Sequence, residues 1–113
     1  MLVVLRSPGG LEFCLDEPSG EHIRPSPVPW PDGHQSLVGQ LCVDVLSDRF
    51  NDEARFWSLL TGWQPRSGAM PEFEYLERPA GIPLRLMFQR LGTQPPRPVS
   101  AHLDLSSDDH KPR

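Results

Sequence analysis

The sequence predicts an α+β fold that starts as a βαβββ module, and three observations carry that prediction. Leu41-Cys42-Val43-Asp44-Val45 has the two-residue alternation of a half-buried strand. After a short polar loop, Asp52 to Trp63 places Phe56, Leu59, Leu60 and Trp63 at i, i+3, i+4 and i+7, the spacing that lines one face of a helix. Asp52, Glu53 and Arg55 are expected on its wet face, and Gly62 supplies the left-handed stop. Two β-like runs follow, Phe73 to Leu76 and Leu84 to Leu91, giving the order strand, helix, strand, strand.

The flanking segments are read in the same way. Leu2 to Arg6 and Leu11 to Leu15 are short apolar runs joined by Ser7-Pro8-Gly9-Gly10, the composition of a tight β-hairpin turn. Asp16 to Gln35 is rich in Pro, Ser, Gly and charge; its Pro25 to Pro31 core can build neither a helix nor a central strand, so it is a connector. That segment and Pro95-Pro96-Arg97-Pro98 are read as stiff linkers rather than as proline-rich ligands. Val99 to Leu105 alternates again and starts a new strand. It echoes the earlier one, since Cys42-Val43-Asp44-Val45-Leu46-Ser47-Asp48 aligns without gaps on His102-Leu103-Asp104-Leu105-Ser106-Ser107-Asp108. Such self-similarity suggests tandem modules. A second helix is expected after Asp109, capped by Ser106-Ser107-Asp108-Asp109, with the chain ending at Arg113.

Bulk properties narrow the class. With 113 residues, 37% of them hydrophobic, the chain holds at most one compact domain with a lean core. A formal net charge of −4 and the lack of a basic block argue against nucleic acid as a partner. The apolar N-terminus is too short for a signal segment and no run approaches a membrane span, so the expectation is a soluble cytoplasmic protein. Cys14 and Cys42 form no CxxC pair and are expected to be buried as small apolar side chains.

Phe56-Trp57-Ser58-Leu59-Leu60-Thr61-Gly62-Trp63, set after the Asp44 to Asp48 strand end, resembles the glyoxalase-like branch of the vicinal-oxygen-chelate superfamily. That superfamily also includes bleomycin-resistance proteins and extradiol dioxygenases. Pro71-Glu72-Phe73, Ile82 to Arg90, and Ala101-His102-Leu103-Asp104-Leu105 with Asp108-Asp109 add to the resemblance, which covers most of residues 38–109. It implies four segments. Residues 1–15 resemble the closing hairpin of a preceding module, and 16–36 are a Pro-rich linker. Residues 37–109 hold a βαββ half and the first strand of the next module, and 110–113 are a tail. The whole is then an incomplete, truncated tandem. Modules of this superfamily pair around a cleft, and open sheet edges seek a partner, so a homodimer or pairing with another module is implied.

Metal-using members place His, Glu or Gln on the first strand and Glu on the last strand of each module, a set that holds a divalent ion. By resemblance His102 and Gln40 are the candidate metal ligands, with Cys42 as the alternative to Gln40, since the internal echo sets Cys42 opposite His102. Cys14 falls where the closing strand would offer Glu. Asp44 and Asp104 stand at equivalent strand positions and, with His102 and Gln40, complete the candidate ligand-binding set. As bare residues they read either as paired carboxylates for acid/base work or as strand-end groups bonded to a neighbouring loop. His102 alone reads equally as a histidine satisfied within a sheet. Trp57 and Trp63 are expected in the core.

Three functions remain open from the sequence. The first is an enzyme of glyoxalase or dioxygenase type, a lyase or oxidoreductase using a divalent metal on a small substrate. The second is a resistance-type module that sequesters a small molecule without catalysis. The third is a degenerate fragment that pairs with another chain.

Overall fold

The computed structural model describes residues 3–16, 27–29, 31, 33, 35–92, 95 and 97–107, without the side chains of 36, 106 and 107. Its elements run β1 (Val3–Arg6), β2 (Glu12–Leu15), β3 (Val28–Pro29), β4 (Gln35–Leu46), α1 (Phe50–Thr61), β5 (Gln64–Ser67), β6 (Phe73–Glu77), β7 (Arg85–Leu91) and β8 (Ser100–Ser107). The sequence β4-α1-β5-β6-β7 is a full βαβββ order. The expected second helix after Asp109 lies outside the described residues.

Strand β4 is the spine of the larger sheet. On one edge it pairs in parallel with β7, Gln40 to Leu46 facing Arg85 to Leu91, and β6 and β5 continue antiparallel beyond β7. Its other edge pairs antiparallel with β8, Ser36 to Asp44 facing Ser107 to Ser100 across a bulge between Val38 and Gln40. The connector contributes the short β3, which pairs with Gln35 and Ser36 at the start of β4. A proline there is tolerated because β3 lies at the sheet margin. Strand β5 was not legible as a strand: Pro65 breaks its pattern, and it survives because it is an edge strand bonded only to β6.

The core lies on the face of the sheet covered by α1. Val43 and Val45 of β4, Leu76 of β6 and Phe88 of β7 meet Phe50 and Ala54 of α1, with Val99 closing the side and Trp57, Trp63, Leu11 and Leu86 packed around. The Arg90 guanidinium caps this layer 4.1 Å above the Phe50 ring. The buried helix positions are Phe50, Glu53 and Ala54, continued by half-buried Trp57, which is the same i, i+3, i+4, i+7 pattern anchored at Phe50. That corrects the face predicted from Phe56, Leu59, Leu60 and Trp63: Leu59 is 73% exposed and Leu60 43%. Gly62 ends the helix as expected, with φ 75° and its N–H donating to the Ser58 carbonyl at 2.8 Å.

Glu53 explains why the register moved. Expected on the wet face, it is fully buried, accepting from Gly9 N–H at 2.8 Å and Trp57 Nε1–H at 2.7 Å. A carboxylate is tolerated there because both oxygens find donors. Gly9 sits in the turn of the β1–β2 hairpin, so Glu53 latches that hairpin to the helix, and the Gly9 carbonyl accepts from Val99 N–H at 3.1 Å. Only a residue without a side chain fits: a Cβ at Gly9 would overlap Val99 and lie 2.7 Å from Glu53 Oε1. Phe13 of β2 then packs its ring 4.6 Å from Trp57 and 5.9 Å from Phe56.

Candidate functional site

Strand alternation sends Gln40, Cys42 and Asp44 to the face opposite the core. Register then adds Arg85, Met87 and Gln89 from β7, Tyr75 and Phe73 from β6, Arg66 from β5, and His102 and Asp104 from β8. Among the described residues no helix covers this inner face. It combines a polar band over β7, β4 and β8 with the apolar strip of Phe73, Tyr75 and Met87.

The polar band is one continuous network. Arg85 Nε donates to Gln40 Oε1 at 2.8 Å, and Gln40 Nε2 donates to Asp104 Oδ2 at 2.6 Å. Asp104 Oδ1 lies 3.3 Å from His102 Nε2, and His102 Nδ1 lies 2.8 Å from Asp44 Oδ2. An arginine on one side and a carboxylate on the other fix which way the Gln40 amide points. An imidazolium would satisfy both aspartates, whereas a neutral ring satisfies one by donation. Symmetry of position accounts for the clamp. Cys42 and His102, the first residues of the internal echo, are direct partners in the antiparallel ladder. Asp44 and Asp104, each two residues further along, therefore flank that pair from opposite directions, and His102 at the centre reaches both.

The structure thus brings His102, Gln40, Asp44 and Asp104 together. Among the described residues the two aspartates bracket the imidazole. Cys42 is buried beneath the cluster, whereas Cys14, also expected in the interior, is exposed on β2, opposite Val4. Burial foremost, then the charges of Asp44 and Asp104, push the Cys42 thiol up from near 9 to about 12. Arg85 was missed as a functional residue. Its signal was available, since two-residue counting from Gln89 through Met87 reaches it, but only the parallel β4–β7 register shows it facing Gln40. A cleft of about 560 Å³ lies elsewhere, between the hairpin turn at Pro8, Gly9 and Gly10, the C-terminal end of β4 with Arg49 beyond it, and Arg97 to Val99. It holds none of the network residues.

The sequence profile of the glyoxalase-like domain matches residues 40–113, which runs from within β4 through β8 and includes every residue of the network. The chain belongs to the glyoxalase-like domain family. No curated protein matches it with significant similarity. Within this family frame the donor set for a divalent ion can be tested on the geometry. Cys42 Sγ, a His102 ring nitrogen and an Asp104 oxygen lie within 4.8 Å of one another. Yet the two expected ligands do not fit a hard ion: Gln40 Oε1 already accepts from a guanidinium, and both His102 nitrogens face aspartates. The inner positions of the last strand of the module, β7, are Arg85, Met87, Gln89 and Leu91, none of them a carboxylate. Cys42 would add a thiol that holds its proton to about pH 12. The residues present therefore do not reproduce the oxygen-rich site that the resemblance implies.

Proposed function

We propose that this glyoxalase-like module binds a small molecule on the inner face of its sheet without metal-dependent chemistry, in the manner of a ligand-sequestering resistance-type protein. The observation that carries this function is the continuous Arg85–Gln40–Asp104–His102–Asp44 network, laid across three strands beside Phe73, Tyr75 and Met87. A few fixed polar groups next to apolar surface are the composition of a small-molecule site. The donors that metal chemistry would need are engaged with one another.

A second copy of the chain is the partner that best suits the exposed surface. Among the described residues β8 pairs only with β4, and Leu103 and Leu105 on its core-side face are 61% and 60% exposed. Two free thiols and the lack, among the described residues, of a helix long and apolar enough to cross a membrane support a cytoplasmic setting.

Metal analysis of the purified protein, paired with sedimentation to obtain its size, tests both points. The expected result is a dimer with no stoichiometric metal that still binds small aromatic compounds. Stoichiometric metal lost on His102→Ala would overturn the non-metal function, and a folded monomer at high concentration would overturn the pairing.

A further inference from the structure

The charges on the inner face are not all answered. Arg66 is paired with Glu77 at 2.6 Å, and Asp44 and Asp104 share His102. Arg85 differs. Its Nε bonds to a neutral amide, its guanidinium lies 5.2 Å from the centre of the Tyr75 ring, and among the described residues it has no carboxylate partner.

Gln40 stands between Arg85 and Asp104, so Asp104 is held by Gln40 and His102 and does not neutralise the guanidinium. The arginine is also held in place. Gln40 restrains it through Nε, the ring of Tyr75 lies beside the guanidinium, and it stays half-buried at the start of β7. A guanidinium bound through Nε keeps its terminal nitrogens as a planar fork, the geometry that grips a carboxylate or phosphoryl oxygen pair. Of the side chains next to it on this face, Tyr75 on the facing strand and Met87 two residues on are aromatic or apolar, and Glu77, which the β6 register carries to the position opposite Arg85, is paired with Arg66.

We infer that Arg85 is the anchor for an organic oxyanion, so that the ligand of this face is a small molecule with an anionic head on Arg85 and an apolar or aromatic body over Tyr75, Met87 and Phe73. This ligand class presupposes that the inner face binds small molecules. The two ends of the site act differently on charge. Arg85 fixes the anionic head, while the Asp44–His102–Asp104 clamp is expected to turn away a second anionic group at the far end.

The test is an amide chemical-shift titration by NMR with para-toluate and para-tolyl phosphate, and with neutral para-toluamide of nearly the same shape. With the unaltered chain, at least one anion is expected to shift residues of β4, β6 and β7 and to bind at least about tenfold more tightly than the amide. Whichever anion binds better identifies the head as carboxylate or phosphoryl. Arg85→Gln should remove that preference, and Arg85→Lys, which keeps the charge without the fork, should restore part of it. Unchanged spectra away from the site show that both variants fold. Equal binding of anion and amide on the inner face, unaltered by Arg85→Gln, overturns the oxyanion anchor and leaves small-molecule binding standing. Anion-induced shifts confined to the cleft beside the hairpin turn, which Arg49 and Arg97 line, also overturn it. No inner-face shifts with any of the three compounds overturn both.

Discussion

The two faces of β4 and β7 are made by alternate residues of the same strands, and they solve opposite problems. The face under α1 is closed and apolar; Val43, Val45 and Phe88 are fully buried, and Glu53, the one buried charge among the described residues, spans two donors within the fold. On the inner face polar side chains bond to one another across strands while remaining partly open to solvent, from Arg85 to Asp44. Stability is concentrated on the first face, and the proposed function assigns recognition to the second. A glyoxalase-like module can therefore change what it binds without disturbing what holds it together, because each strand position serves one purpose or the other.

Neighbouring residues of β7 give the sharpest way to break that division. Phe88→Ala removes a fully buried ring from between Leu76, Val43 and α1 and should destabilise the chain by about 4 kcal/mol in denaturant unfolding. Gln89→Ala, one residue on and on the other face, should change it by less than about 1 kcal/mol. Equal losses would mean that the inner face also carries the fold.

Cys42 tests an inner-face side chain that is buried. Its thiol is raised to about 12, so it is protonated in both folded and unfolded chains below the ordinary value near 9 and adds no pH dependence there. Between those two values the unfolded chain releases the proton and the folded chain does not. Stability should fall as pH rises through this window, by a total on the order of 4 kcal/mol. The loss should be absent in Cys42→Ala, and thiolate absorbance should show Cys42 ionising only near the top of the window. A matching alkaline loss in both proteins would assign it to other groups.

Glu53→Ala is expected to cost about 2–3 kcal/mol, because it leaves the Gly9 and Trp57 N–H groups without their acceptor inside the fold. The loss should be local first. Hydrogen exchange at Gly9 and Val99 is expected to accelerate more than exchange in β6 or β7, since the latch joins the hairpin and the start of β8 to the helix. Uniform acceleration would make Glu53 a core residue like any other.

How far these features were legible in the sequence follows from the chemistry at each position. Strands β4, β6, β7 and β8 and the helix were visible because their apolar residues recur with a clean period. Strand β5 was hidden by Pro65, whose missing N–H is harmless only at an edge that sequence does not reveal. Gln40, Asp44, His102 and Asp104 could be set on one face by counting in twos and by the echo of Cys42 with His102. Their connection could not, because it depends on the antiparallel β4–β8 register and on Arg85 arriving from β7. The helix face was misread for a single reason. Period-finding counts a glutamate as wet, and Glu53 is dry because its partners, Gly9 and Trp57, come from a distant turn and from its own helix.

That misreading leaves the smallest of the expected effects, and the one that separates the two helix registers. If Leu59 were a core position, Leu59→Ser would open a cavity and cost several kcal/mol. At 73% exposure it has little apolar contact to lose, and the change is expected to stay within about 0.5 kcal/mol. Ala54→Ser, five residues earlier in the same helix, supplies the contrast: it adds a hydroxyl to a site 5% exposed between Phe50 and the sheet and should destabilise more, although the chemical change is smaller. The reverse order would return the helix to the face anchored at Phe56, and with it Glu53 to the solvent.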